Sequence, residues 1–89
     1  MKYPVFSFKD CVSGLFSSPI IQTNENVAKR TFRLVVNNPE SIAAGSKAED
    51  YALYHIGFFD DQTGVLETVD PEFLMQGMTI EKEVKENAL

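Results

Sequence analysis

The chain has 89 residues, of which 44% are hydrophobic and 24% charged, at a mass of 10.0 kDa. That is enough apolar material for one small core and too little length for two. Eight Lys and Arg stand against 13 Asp and Glu, leaving a net charge of −5 with His neutral and a pI near 4.7. This excludes holding long duplex DNA by bulk electrostatics, so any nucleic-acid contact must come from a local patch. A single Cys11 and a single His55 exclude an internal disulfide framework and a Cys/His zinc cage.

From Met1 to Asp10 aromatic and aliphatic residues alternate with small and charged ones, and Tyr3, Val5, Phe6 and Phe8 favour a strand. Pro4 lacks an amide, so this end of the strand is expected on an edge, or pairing begins after it. Cys11 to Ser18, with Gly14 and three serines, reads as a loop, and Pro19 to Gln22 as a short second strand in a wide hairpin.

The segment Thr23 to Asn38 reads as an amphipathic helix. Thr23 or Asn24 can cap it, Glu25 suits the positive end of the helix dipole, and Asn38-Pro39 stops it. At about 100° per residue, Val27, Ala28, Thr31, Phe32, Leu34, Val35 and Val36 are assigned to one side; Glu25, Asn26, Lys29, Arg30, Arg33 and Asn37 are assigned to the other.

After a loop from Pro39 to Asp50, Tyr51 to Asp60 and Val65 to Val69 read as two strands of a hairpin, with Gly64 supplying the positive φ of its turn. Gly57 inside the first of these marks a bulge or a close backbone approach. Asp70 followed by Pro71 resembles an N-cap with proline at the first helical position, so Pro71 to Gln76 is expected as a short C-terminal helix ended by Gly77. The expected fold is α+β: a small antiparallel sheet (β-β-α-β-β), one amphipathic helix on a face and the short helix. Residues 1–77 form one domain, and 78–89 are a charged tail or an additional edge strand.

No phosphate loop, HExxH or GxSxG occurs, and no nucleophile stands beside a base in the sequence, so no enzyme, cofactor or metal is assigned. Cys11 is expected to be a buried or half-buried thiol, and His55 a hydrogen-bonded sheet histidine. The acidic pairs Glu49-Asp50 and Asp60-Asp61 are read as solvated turn carboxylates. Lys29, Arg30 and Arg33 share one helix face and could follow phosphates, with Lys9 and an exposed tyrosine such as Tyr54 adding contacts.

The opening MKYPVFSFKD, the central AKRTFRLVVNNPES and the block AEDYALYHIGFFDDQTGVL resemble the small nonstructural protein of the gokushovirus branch of the Microviridae, single-stranded DNA bacteriophages. The residues that carry the likeness are Met1, Lys2, Val5 and Phe6, then Ala28, Arg30 and Phe32, then Asn37 and Pro39. Asp50, Tyr51, Leu53, Ile56, Gly57, Phe59, Asp60 and Gly64 continue it, and it thins beyond Asp70. The resemblance implies a phage protein absent from the capsid, with a part in single-stranded DNA synthesis or packaging, and it transfers no catalytic residue.

Two functions follow as expectations. One is a non-enzymatic accessory protein of viral DNA replication or packaging that touches single-stranded DNA through Lys9, Lys29, Arg30, Arg33 and Tyr54. The other is an interaction module for a replication initiator, procapsid or host factor, to which the net negative charge would suit a basic partner. A domain of this size leaves a sheet face partly uncovered, so a homodimer fits either. No run approaches the roughly 18 apolar residues of a membrane span, and Asp10 falls where a secretory leader would stay apolar. The expected setting is the host bacterial cytoplasm.

Overall fold

The computed structural model describes residues 1–80. The elements are β1 (Lys2–Asp10), β2 (Leu15–Phe16), β3 (Ile20–Ile21), α1 (Glu25–Val36), β4 (Tyr51–Asp60) and β5 (Leu66–Gln76), with a 3-10 turn at Ala48–Asp50 before β4. One antiparallel sheet holds all five strands. β1 lies between β4 and the short β2 and β3, and β5 forms the far edge beyond β4.

α1 begins where expected: the Asn24 side chain accepts the Val27 N–H at 2.9 Å, satisfying one of the free amides of the first turn. Ala28, Phe32 and Val36, spaced four apart, form its buried stripe and pack on Phe6, Tyr51 and Leu53 from the sheet. Phe8 meets Phe32 edge-on, with ring centroids 5.2 Å apart. The helix therefore covers one sheet face at the Phe6, Phe8 and Leu53 end and, among the described residues, leaves the other face without a helix.

The strand glycines act as anticipated. Gly64 closes the β4–β5 turn at φ +75°, its N–H bonding the Asp60 carbonyl at 2.8 Å. At Gly57 the β1–β4 and β4–β5 registers both shift, and a Cβ there would strike the backbone carbonyl of Glu67. Pro4 lies inside β1, but its carbonyl accepts from Gln22 on the flank away from β4, and β3 has already stopped at Ile21. The proline nitrogen points to that same flank, so the missing amide falls at the end of the short β1–β3 pairing and not in the β1–β4 ladder.

Several expectations are corrected. Pro71 to Gln76 is not a helix but the second half of β5, with Glu72, Phe73, Met75 and Gln76 opposite His55, Tyr54, Leu53 and Ala52. Pro71 falls in the irregular stretch between Thr68 and Glu72 of an edge strand, where a missing amide is tolerated. A six-residue helix would have been marginal, whereas the strand places Leu74 and Met75 against the core. The predicted loop at Cys11 to Ser18 contains β2, and Cys11 is exposed because β1 ends at Asp10. Leu34, assigned to the apolar side of the helix, is 61% exposed; at about 100° per residue it points roughly opposite Phe32. The residues 78–80 form no strand, and the rest of the proposed tail, 81–89, lies outside the described residues.

Candidate functional site

Alternation along the strands sorts the side chains by chemistry. Cross-strand partners share a face, so register gives the helix-free face four rows: Tyr3–Phe59–Leu66, Val5–Gly57–Thr68, Ser7–Tyr54–Phe73 and Lys9–Ala52–Gln76. Phe16, opposite Lys9, and Ile21, opposite Val5, extend it across β2 and β3. None of these residues carries a carboxylate. The paired acids of the strands, Asp10, Asp60, Glu67 and Glu72, are opposite Tyr51, Lys2, Phe58 and His55 and belong to the helix side. Asp70 falls in the irregular stretch of β5.

At one end of this face three aromatic rings form a row. Phe16 and Tyr54 meet edge-to-face with centroids 5.2 Å apart, and Tyr54 meets Phe73 in the same way at 5.8 Å. Phe16 and Phe73 remain 43% and 54% exposed, so the row presents ring surface to solvent. The Lys9 ammonium lies over both Phe16 and Tyr54, 5.6 and 5.8 Å from the centroids; this cation–π contact contributes about 0.5–1 kcal/mol at an exposed site. Under the row, Ser7 is buried, its hydroxyl donating to the Ser17 carbonyl at 2.8 Å. The Ser17 hydroxyl in turn accepts the Phe8 N–H at 3.0 Å, tying β2 to β1.

The sequence-derived site residues thus fall in two groups. Lys9 and Tyr54 come together on the helix-free face. Lys29, Arg30 and Arg33 line a separate hollow on the outer side of α1 with Asn26, Leu34 and Ile80. There Lys29 is already paired with Glu25 at 3.1 Å. The C-terminal end of the helix is tied down by Asn37, whose side chain donates to the Met78 carbonyl at 3.0 Å and accepts the Ile80 N–H at 3.1 Å. Phe16 and Phe73 were missed by the sequence reading, which placed one in a loop and the other in a helix. The signal for both was cross-strand register, and that is available only once the strands are paired.

Other candidates resolve into structure. His55 packs between Phe6 and Phe58 on the helix side, at 5.6 and 4.8 Å between centroids, and its Nε2 is buried without a hydrogen-bond partner. Cys11 follows β1 while His55 pairs with Phe6, a separation of five strand residues or roughly 16 Å. Asp60 accepts the Gln62 N–H at 2.9 Å, which holds its carboxyl below the ordinary range. Asp61 binds the N-terminal ammonium at 2.8 Å and raises its pKa. Among the described residues no three His, Cys, Asp or Glu gather as a metal site, and no helix is long and apolar enough to cross a membrane.

The fold and this face define a small α+β protein with one helix-covered sheet face and, among the described residues, one open aromatic face. Residues 3–80 match the family described as Phage ORF5 protein, and the chain belongs to that family: it is a phage protein. No curated protein and no solved structure matches it.

Proposed function

We propose that the protein is a non-enzymatic accessory protein of DNA replication or packaging in phages of the gokushovirus type, acting in the host bacterial cytoplasm, and that it holds single-stranded DNA on the helix-free face of its sheet. The observation that carries this reading is the row Phe16, Tyr54 and Phe73 with Lys9 over it, on a face whose paired positions include no carboxylate. Unpaired bases stack on such rings with little sequence preference, each worth about 1–3 kcal/mol, while a cation takes the phosphate. With no carboxylate at the paired positions of this face, a polyanion can approach a protein of net charge −5.

The basic strip on α1 is the competing DNA surface, and salt separates the two. Each phosphate neutralised contributes a slope of roughly −0.7 in log K against log salt for a single strand. Contact through Lys9 and stacking therefore predicts a slope of about −0.7, and contact through all three strip cations about −2. The test is fluorescence anisotropy of a labelled single-stranded oligonucleotide across a salt series. It uses the native chain, Lys9→Glu, and the double variant Arg30→Glu/Arg33→Glu. Micromolar binding that is lost in Lys9→Glu and kept in the double variant supports the open face. Loss only in the double variant moves the site to the helix. No binding at low salt refutes the DNA reading, and the exposed Phe16 and Phe73 then favour a protein partner such as an initiator, procapsid or host factor.

A further inference from the structure

The other half of the open face differs from the aromatic end. The rows Tyr3–Phe59–Leu66 and Val5–Gly57–Thr68, with Ile21 beside Val5, contain no charged residue. Leu66 and Ile21 are 63% and 48% exposed there. Next to them Val5, Pro19, Ile56, Leu66 and Thr68 line a hollow of about 190 Å³. Glu67 also borders it, but its carboxylate turns to the helix side and pairs with the Lys2 ammonium at 2.6 Å. A knob and a hole of matching chemistry thus stand side by side on one surface.

We infer that a second copy of this chain covers this aliphatic half, with Leu66 of each copy seated in the hollow of the other. The exposed leucine beside its own hollow argues for this occupant, and charge permits it. Two copies of net charge −5 repel wherever carboxylates meet, and the strand carboxylates paired in the sheet lie on the other side. These two rows offer a self-approach with no like charge opposed and no ion to desolvate. A two-fold contact requires each patch to complement itself, and an exposed leucine beside an apolar hollow satisfies that condition with one residue type. An uncovered apolar face on a domain this small is also what oligomerisation commonly buries. The contact uses the first two rows and leaves Ser7–Tyr54–Phe73 and Lys9–Ala52–Gln76 open. The dimer does not depend on DNA binding.

The test is sedimentation velocity over a micromolar concentration series on the native chain, Leu66→Asp and Phe73→Ser. Circular dichroism checks that each variant folds, which the exposure of both side chains favours. The native chain is expected at twice its 10.0 kDa mass, and Phe73→Ser with it. Leu66→Asp is expected as a monomer, its dimer dissociation constant raised at least about tenfold by a carboxylate forced into an apolar contact. If Leu66→Asp fails to fold, Ile21→Asp replaces it with the same expectation. A native chain that stays monomeric throughout, or a dimer unaffected by a folded variant, overturns the inference. Since none of these samples contains DNA, that failure is separate from failure of the DNA reading.

Discussion

Gly57→Ala tests the strand geometry on which the open face depends. Gly57 has no positive φ, so alanine suits its backbone; the obstacle is space. A Cβ at this position would strike the Glu67 carbonyl oxygen and come within 3.5 Å of the Thr68 Cα, both on the neighbouring strand. The obstructing atoms are backbone, so β5 must move away from β4 where the register already shifts. Overpacking of this kind costs about 1–3 kcal/mol. Against it stands the usual gain of about 0.4–1 kcal/mol from restricting the unfolded chain when glycine becomes alanine. A net loss of about 1–2 kcal/mol is expected, which lowers the melting temperature by roughly 4–16 °C for a domain of this length. Urea titration followed by circular dichroism measures the first, and thermal unfolding the second. An alanine variant as stable as the native chain would show that β5 lies farther from β4 than the structure places it.

Three further outcomes follow from named contacts. Phe73→Ala removes one ring of the exposed row and is expected to weaken single-stranded DNA binding about 5- to 150-fold, the range for one stacked base; unchanged anisotropy titrations would remove Phe73 from the site. Asn24→Ala deletes the bond to the Val27 N–H and should cost about 1 kcal/mol in urea unfolding, so a loss below the measurement error would mean that water replaces the cap. For Asp60, the Gln62 N–H favours the charged carboxylate and lowers its pKa in the folded state. Its contribution to stability is complete above the ordinary carboxylate pKa and is lost as pH falls through the lowered folded value. An NMR titration should find Asp60 ionising below a model aspartate, and an ordinary value would contradict the bond.

What the sequence disclosed follows from how local each signal is. Asn24, the spacing of Ala28, Phe32 and Val36, and the stop at Asn38-Pro39 all act within one helix, and α1 forms inside the expected span. Gly64 was legible because a turn sets its own φ. β2 was not, since its two residues are a strand only through Lys9 and Asp10 across from them. The segment Asp70 to Gln76 carries a helix-start pattern that pairing with β4 overrides. Register decides the candidate site in the same way. Lys9 and Tyr54 were each visible as a cation and an amphipathic ring, yet their meeting, and the presence of Phe16 and Phe73 beside them, depends on strands far apart in sequence.

The sorting of charge across the sheet suggests that where the carboxylates lie governs what the open face binds, more than the net charge does. β1 reads KYPVFSFKD, placing Tyr3, Val5, Ser7 and Lys9 on one side and Asp10 on the other; a slip of one residue would exchange them. The double variant Thr68→Glu/Glu72→Thr moves one carboxylate through the sheet at constant net charge. Thr68 belongs to the open face and Glu72 to the helix side, and both are exposed, so folding should change by no more than about 0.5 kcal/mol. The new carboxylate stands opposite Gly57, three strand residues, roughly 10 Å, from Tyr54. At that distance in water it opposes a phosphate by about 0.4 kcal/mol, or roughly a twofold loss of affinity for each phosphate held there. The loss should fade as salt rises. Equal DNA affinity before and after the exchange, in a chain that still folds, would show that DNA is not held on this face.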